Sequence, residues 1–236
     1  MTYTNLIGWM NTLEDLLFPR PAPKLGDSLQ KIILANNKAF GPSPITGGII
    51  HRISAPTALI VATVIDANAP IITAVLGCSH NEAVALLAAG IKGESRFDPR
   101  AINPNKNKAR PNETPAAAFG RHDLGLCQFS ARVVSMDADN AGLSPAQIQA
   151  ECENPAYAVP RFARAVAKLL IDAHAAVATD PTLLEGVPNR DPRILAFTGY
   201  NAGETGAKTL ARANRGMPYG QNWVDTAAAF LAILNG

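Results

Sequence analysis

The chain has 236 residues, enough for one large domain, or one domain with an extension, around a substantial core. Apolar residues make up 47% but aromatic ones only 6%, so the core is built of Ala, Leu, Ile and Val, which favours closely packed helices. With 17% charged residues and a net charge of +2, no global attraction to nucleic acid or to an acidic surface is implied.

In chain order, Leu6, Trp9, Met10, Leu13, Leu16 and Leu17 predict an amphipathic helix over 5–18, stopped by Pro19, Pro21 and Pro23. Met1 to Phe18 lacks a basic leader and carries Glu14 and Asp15, so it is not read as a signal peptide. Residues 19–27 read as a linker, 28–36 as a short helix and 37–50 as turn-rich loop. Residues 55–77 are nearly all apolar, but Asp66, Asn68 and Pro70 interrupt the roughly 20 residues a membrane span needs. Two buried helices are expected there, and no stable span.

Ser79-His80-Asn81-Glu82 reads as a capping box opening a helix with Val84, Leu87, Ala88 and Ile91 on one face, ending at Glu94. Residues 98–122 hold four prolines and five Asn or Asp, and are expected to be a long structureless loop. Lys92, Arg96, Arg100, Lys106, Lys108, Arg110 and Arg121 make residues 92–121 locally basic, which suits an anionic polymer or simply a solvated loop. Further helices are expected from Ser144 (a second capping box), from Asn154 to about Val177, from Asp191 into Tyr200, and over 221–234. Any strands should be short and near 115–130. The fold class is therefore mainly α, with at most a small β element.

Cys78, Cys127 and Cys152 show no metal or disulfide spacing and are expected to be reduced thiols. His51, His80, His122 and His174 are scattered, so neither metal nor cofactor is expected; only His122 falls near the candidate site.

The strongest chemical signal is Glu94. A carboxylic acid that protonates a glycosidic oxygen must keep its proton near neutral pH, and burial against apolar groups achieves this. Glu94 leaves an Ala/Leu/Ile helix with Phe97 beside it, so the required setting is available.

Three segments, Glu94-Ser95-Arg96-Phe97-Asp98-Pro99-Arg100-Ala101, Gly125-Leu126-Cys127-Gln128 and Gly199-Tyr200-Asn201-Ala202-Gly203, occur in that order. Together they resemble the soluble lytic transglycosylases and the related goose-type and c-type lysozymes. Their motifs are Glu-Ser-x-Phe-(Asp/Asn)-Pro-x-Ala, Gly-Leu-Met-Gln and Ala-Tyr-Asn-Ala-Gly. Pro218-Tyr219-Gly220-Gln221-Asn222-Trp223-Val224 resembles the family's Pro-Tyr segment. Cys127 stands for Met and Gly199 for Ala.

The resemblance runs from about residue 79 to the C-terminus and implies a lysozyme-like helical bundle around a substrate cleft. It makes 67–236 the catalytic domain and leaves 1–66 as a helical extension of unknown role. It implies cleavage of the MurNAc-GlcNAc β-1,4 bond of peptidoglycan, with Glu94 as general acid then base and 1,6-anhydroMurNAc as product. By the same resemblance Ser95 would bond near the reacting sugar and Gly125 would let the backbone approach it. Gln128 would hold acetamido or hydroxyl groups, Tyr200 would orient Glu94, Asn201 would line the cleft, and Gly203 would end a helix.

Asp123 matches the second carboxylate of c-type lysozymes, which keeps a hydrolytic muramidase using Glu94 and Asp123 open. A non-catalytic virion or wall-binding protein on the same fold is a further alternative. Asp98, before Pro99, reads as a turn residue. The expected partners are glycan strands and, through the N-terminal region, phage virion components, but not nucleic acid. The expected setting is a phage virion-associated enzyme or endolysin, held in the virion or host cytoplasm before it reaches the wall.

Overall fold

The computed structural model describes residues 24–44 and 47–236. The predicted helix over 5–18 lies outside the described residues. The expected linker does not extend to residue 27: helix α1 spans Lys24–Asn36, and Leu29, Ile32 and Ile33 are buried in the main core.

Helix α2 spans Ala55–Leu76 without interruption, correcting the two-helix expectation. Ser54 caps its start and Gly77, in the left-handed region, caps its end. The residues read as breakers are accommodated locally. Asn68 Nδ2 donates to Val64 O four residues back (2.8 Å), and Asp66 bonds His80 (2.6 Å). Pro70 sits inside the helix without ending it. Ala58, Val61, Ala62, Ile65, Ala69 and Ile72 form its inward stripe. Among the described residues this helix is long and apolar enough to cross a membrane, and Leu59 and Ile60 on its other face are exposed. The boundary expected at 66/67 falls inside α2, and residues from Leu29 onward share one core with the C-terminal helices.

Helix α3 spans His80–Ser95 and is buried all round through Ala83–Ile91, rather than on one face. It ends because Arg96 (φ 51°) and Phe97 (φ 66°) both take the left-handed conformation. For non-glycine residues this costs about 1–3 kcal/mol each, so the surrounding contacts must enforce it.

The segment 98–122 is structured, contrary to expectation. It contains strand β1 (Ile102–Asn103), a 3₁₀ turn at Lys106–Lys108 and helix α4 (Pro115–Gly120). Arg121 binds both carboxylate oxygens of Glu113 and the carbonyls of Pro104 and Asn105, tying the segment to itself. Strands β2 (Asp123–Leu124) and β3 (Phe129–Ser130) complete an antiparallel sheet in the order β1-β2-β3, with Asn103 opposite Asp123 and Leu124 opposite Phe129.

Helices α5 (Ala131–Ser135) and α6 (Pro145–Glu153) close a small second cluster around Leu124, Val134, Ile148 and Cys152. The full capping box forms at Ser144 and Gln147, whereas at Ser79 the Glu82 side chain turns away to Arg193. Helix α7 (Pro155–Thr179) and helix α8 (Pro192–Arg212) pack on the main core, and α8 consists of two helical segments separated at Gly203 (φ 73°, ψ 159°), which ends the first of them as expected. Helix α9 (Pro218–Asn235) packs against α3 and α8. The three thiols are free; Cys127 and Cys152 are buried. The protein is mainly α with one small sheet, and the turn between β2 and β3 sits where the two clusters meet.

Candidate active site

Glu94 lies on the last turn of α3, separated by Ser95 from the left-handed pair. It keeps some accessible surface, yet its carboxyl is packed as densely as an interior group. Loss of water around the charged form pushes its pKa up to about 7; the hydrogen bond from Tyr219 opposes that rise and the charge of Asp123 adds to it. Glu94 is thus half-protonated near neutrality and reachable from solvent, as a proton donor to an external group must be.

The phenol that donates to Glu94 Oε1 is Tyr219 on α9. Tyr200, expected in that role, is partly buried and donates instead to Cys127 O at 3.0 Å. It lies edge-on to Phe162 and to Trp223 (73° in both cases). The Pro218-Tyr219 pair was visible in the sequence, but nothing there connected it to a carboxylate 125 residues earlier.

The Ser95 hydroxyl is fully buried and donates to Leu126 O at 2.6 Å. It therefore joins α3 to the β2–β3 turn and does not face a substrate, correcting its expected role. Gly125 is buried, with φ 73°, and a β-carbon there would collide with the carbonyl of Cys152. Its close neighbour on the β-carbon side is thus the end of α6.

Gln128, also left-handed (φ 50°), donates from Nε2 to Gly125 O (2.9 Å) and Ala101 O (3.1 Å). The amide nitrogen stabilises the turn. Its Oε1 accepts no hydrogen bond among the described residues, which leaves an acceptor for a ligand N–H. Asn201 is exposed on α8 beside Tyr200.

The three sequence motifs therefore converge. Ser95 and Tyr200 donate to adjacent carbonyls, Leu126 and Cys127, and so bolt the β2–β3 turn to the ends of two core helices. Buried hydroxyl-to-carbonyl bonds of this kind hold a turn rigidly because leaving either partner dry and unpaired is costly.

Asp123 is partly buried opposite Asn103 on β2, and its Oδ2 accepts from the buried Asn105 Nδ2 at 2.8 Å. Burial raises its pKa, while the Asn105 hydrogen bond, Lys108 and His122 pull it down. Its field reaches Glu94. His122 packs against Phe119, and burial lowers its pKa. Among the described residues, no group of three or more His, Cys, Asp and Glu side chains stands ready to hold a metal ion.

Asp98 does more than shape a turn. Fully buried, it accepts Arg100 N at Oδ1 (3.0 Å), and at Oδ2 both His51 N (2.6 Å) and His51 Nδ1 (2.9 Å). The sequence offered no signal for that partnership.

No family model matches this chain, and no curated protein or solved structure matches it either. The chemistry of the site rests on its own geometry.

Proposed function

We propose that this chain is a lytic transglycosylase that cleaves the MurNAc-GlcNAc β-1,4 bond of peptidoglycan, with Glu94 as general acid and then general base. The observation that carries the reading is a carboxyl with pKa near 7, steadied by the Tyr219 phenol, at the point where the three motif segments meet. In the first step the Glu94 proton passes to the bridging oxygen as the bond to the anomeric carbon breaks. The leaving sugar departs as an alcohol, and the oxocarbenium charge is met by the muramoyl N-acetyl group. In the second step the ionised Glu94 takes the proton of the muramoyl 6-hydroxyl, whose oxygen closes on the anomeric carbon. The product is a 1,6-anhydro end, the proton returns to Glu94, and no water is consumed.

Tyr219 supports this cycle because its hydroxyl donates to the carboxylate formed after the first step, when the charge is least solvated. Gln128 Oε1 is the acceptor for a substrate acetamido or hydroxyl proton. Phage association, with the N-terminal residues as a docking element, remains part of this proposal and rests on the sequence alone.

A second reading is hydrolysis by a muramidase, favoured by one observation: Asp123 is a half-buried carboxylate whose charge acts on Glu94. Digestion of isolated peptidoglycan, followed by mass spectrometry, separates the readings. Anhydro-ended fragments, lighter by one water than reducing-end fragments, are the expected product, and Glu94→Gln should release none. Reducing ends would mean hydrolysis. Binding without soluble fragments would leave a wall-binding protein.

A further inference from the structure

The turn that follows Glu94 is held by residues from the N-terminal side of the chain. Asn37, just after α1, is 6% exposed. Its Nδ2 donates to Arg96 O (2.9 Å) and His51 O (3.1 Å), and its Oδ1 accepts from Ile53 N (2.9 Å). His51 in turn donates its backbone N–H, and shares its Nδ1, with Oδ2 of the buried Asp98. Arg96 reaches back to Lys38 O and lies 5.2 Å from the centre of the Phe40 ring. Ile49 pairs with Ile102 in both directions, adding this segment to the edge of the sheet.

The bonds of Asn37 to His51 O and from Ile53 N hold the segment together, and its outward contacts named above fall on Arg96, on Asp98 or on the strand just beyond; Arg96 and Phe97 are the left-handed residues that end α3 directly after Glu94 and Ser95. A short left-handed turn of non-glycine residues has no intrinsic preference for its shape, so whatever clamps it also sets the direction of the last helical turn. Residues 37–44 and 47–53 form that clamp.

We infer that Asn37 and His51 are positioning residues for Glu94: by gripping Arg96 and Asp98 they hold the end of α3 so that the Glu94 carboxyl stays in its desolvated place beside Tyr219. The described residues before α2 are then an integral part of the catalytic unit. The inference deepens the transglycosylase reading and rests on it for the word catalytic, but the effect on Glu94 is measurable without any substrate.

The test uses the full chain with glutamate carboxyls labelled with ¹³C, in Asn37→Ala, His51→Ala and His51→Asn. Asparagine places its side-chain N–H close to where the histidine Nδ1 stands, so His51→Asn should keep the bond to Asp98. With Asn37→Ala and His51→Ala, the Glu94 titration midpoint is expected to fall from about 7 toward the ordinary glutamate range. Peptidoglycan turnover should drop roughly ten- to a hundredfold in kcat with little change in KM, the scale of a misplaced catalytic group. His51→Asn should restore both.

A lowered melting temperature with an unmoved Glu94 midpoint would overturn the inference, as would equal behaviour of His51→Ala and His51→Asn. If Asn37→Ala does not fold, the two His51 variants, at a half-exposed side chain, decide alone. If the midpoint moves while the wild type releases no glycan fragments, the positioning stands and the proposed activity fails.

Discussion

The six-membered ring of Trp223 occupies the space that a β-carbon on Gly90 would fill. Its indole N–H donates to Leu86 O (2.8 Å), and its rings stack on Phe197 (4.4 Å between centroids) and Phe162 (5.7 Å). Gly90 is one helical turn before Glu94, and Trp223 is one turn after Tyr219. The notch on α3 and the indole on α9 thus fix the register that brings the phenol to the carboxyl.

Gly90→Ala should therefore damage the site. The added methyl would collide with a Trp223 ring carbon and lie 2.7 Å from a Phe162 ring carbon, so the rings must shift. Overpacking of this kind costs about 1–3 kcal/mol, offset in part by roughly 1 kcal/mol of helix propensity. The expected result is a net loss of stability in urea unfolding, together with a displaced Glu94 titration. Unchanged stability and titration would show that α9 is not registered through this notch.

Glu94→Gln should be more stable than the wild type above neutral pH. Below about 4.5 both native and unfolded wild-type chains carry the Glu94 proton, and above about 7 neither does. Between these values only the native chain holds it, so wild-type stability declines as pH rises through the window and stays lower beyond it. Glutamine has no proton to lose and still accepts from Tyr219. An advantage on the order of 2–3 kcal/mol is expected at alkaline pH, disappearing at acidic pH. Denaturant titrations on either side of the window measure it.

Tyr219→Phe removes a hydrogen bond that holds the Glu94 pKa down, so the titration midpoint should climb above about 7. Stability should change by only about 1 kcal/mol, the net worth of one such bond. Turnover should fall by about two orders of magnitude, near the lower end of what assisted proton transfer contributes. Tyr200→Phe should leave the Glu94 midpoint nearly where it is, because its hydroxyl serves Cys127 O.

Ser95→Ala leaves the buried Leu126 carbonyl without its side-chain donor. A stability loss of about 1–3 kcal/mol is expected, with substrate binding affected only through movement of the β2–β3 turn. A large rise in KM with unchanged stability would instead return Ser95 to the substrate.

Asp123→Asn removes a neighbouring charge that raises the Glu94 pKa, so the acid midpoint should drop slightly. Under the transglycosylase reading, anhydro products continue to form. Complete loss of turnover with a folded protein would make Asp123 the second carboxylate of a hydrolase.

Much of this arrangement was legible one segment at a time. Ser144 with Gln147, Asn154 before Pro155 and Asp191 before Pro192 announce helix starts that form as read, because a capping side chain satisfies backbone groups within a few residues of itself. Asp66, Asn68 and Pro70 misled the reading of α2 because their local penalties are small against the inward stripe that packs on neighbouring helices.

By itself, the sequence determined that the protein is helical and Ala-rich, and that a glutamate ends its central helix ahead of two recognisable turns. Only the tertiary structure decided that Tyr219, and not Tyr200, serves that glutamate; that Ser95 and Gly125 face inward; and that Asn37 and His51 hold the turn beyond it. The physical reason is separation. Caps and turns are governed by neighbours within a few residues, whereas these pairings span up to 125 residues. They exist only once large rings such as Trp223 have locked the helices into register.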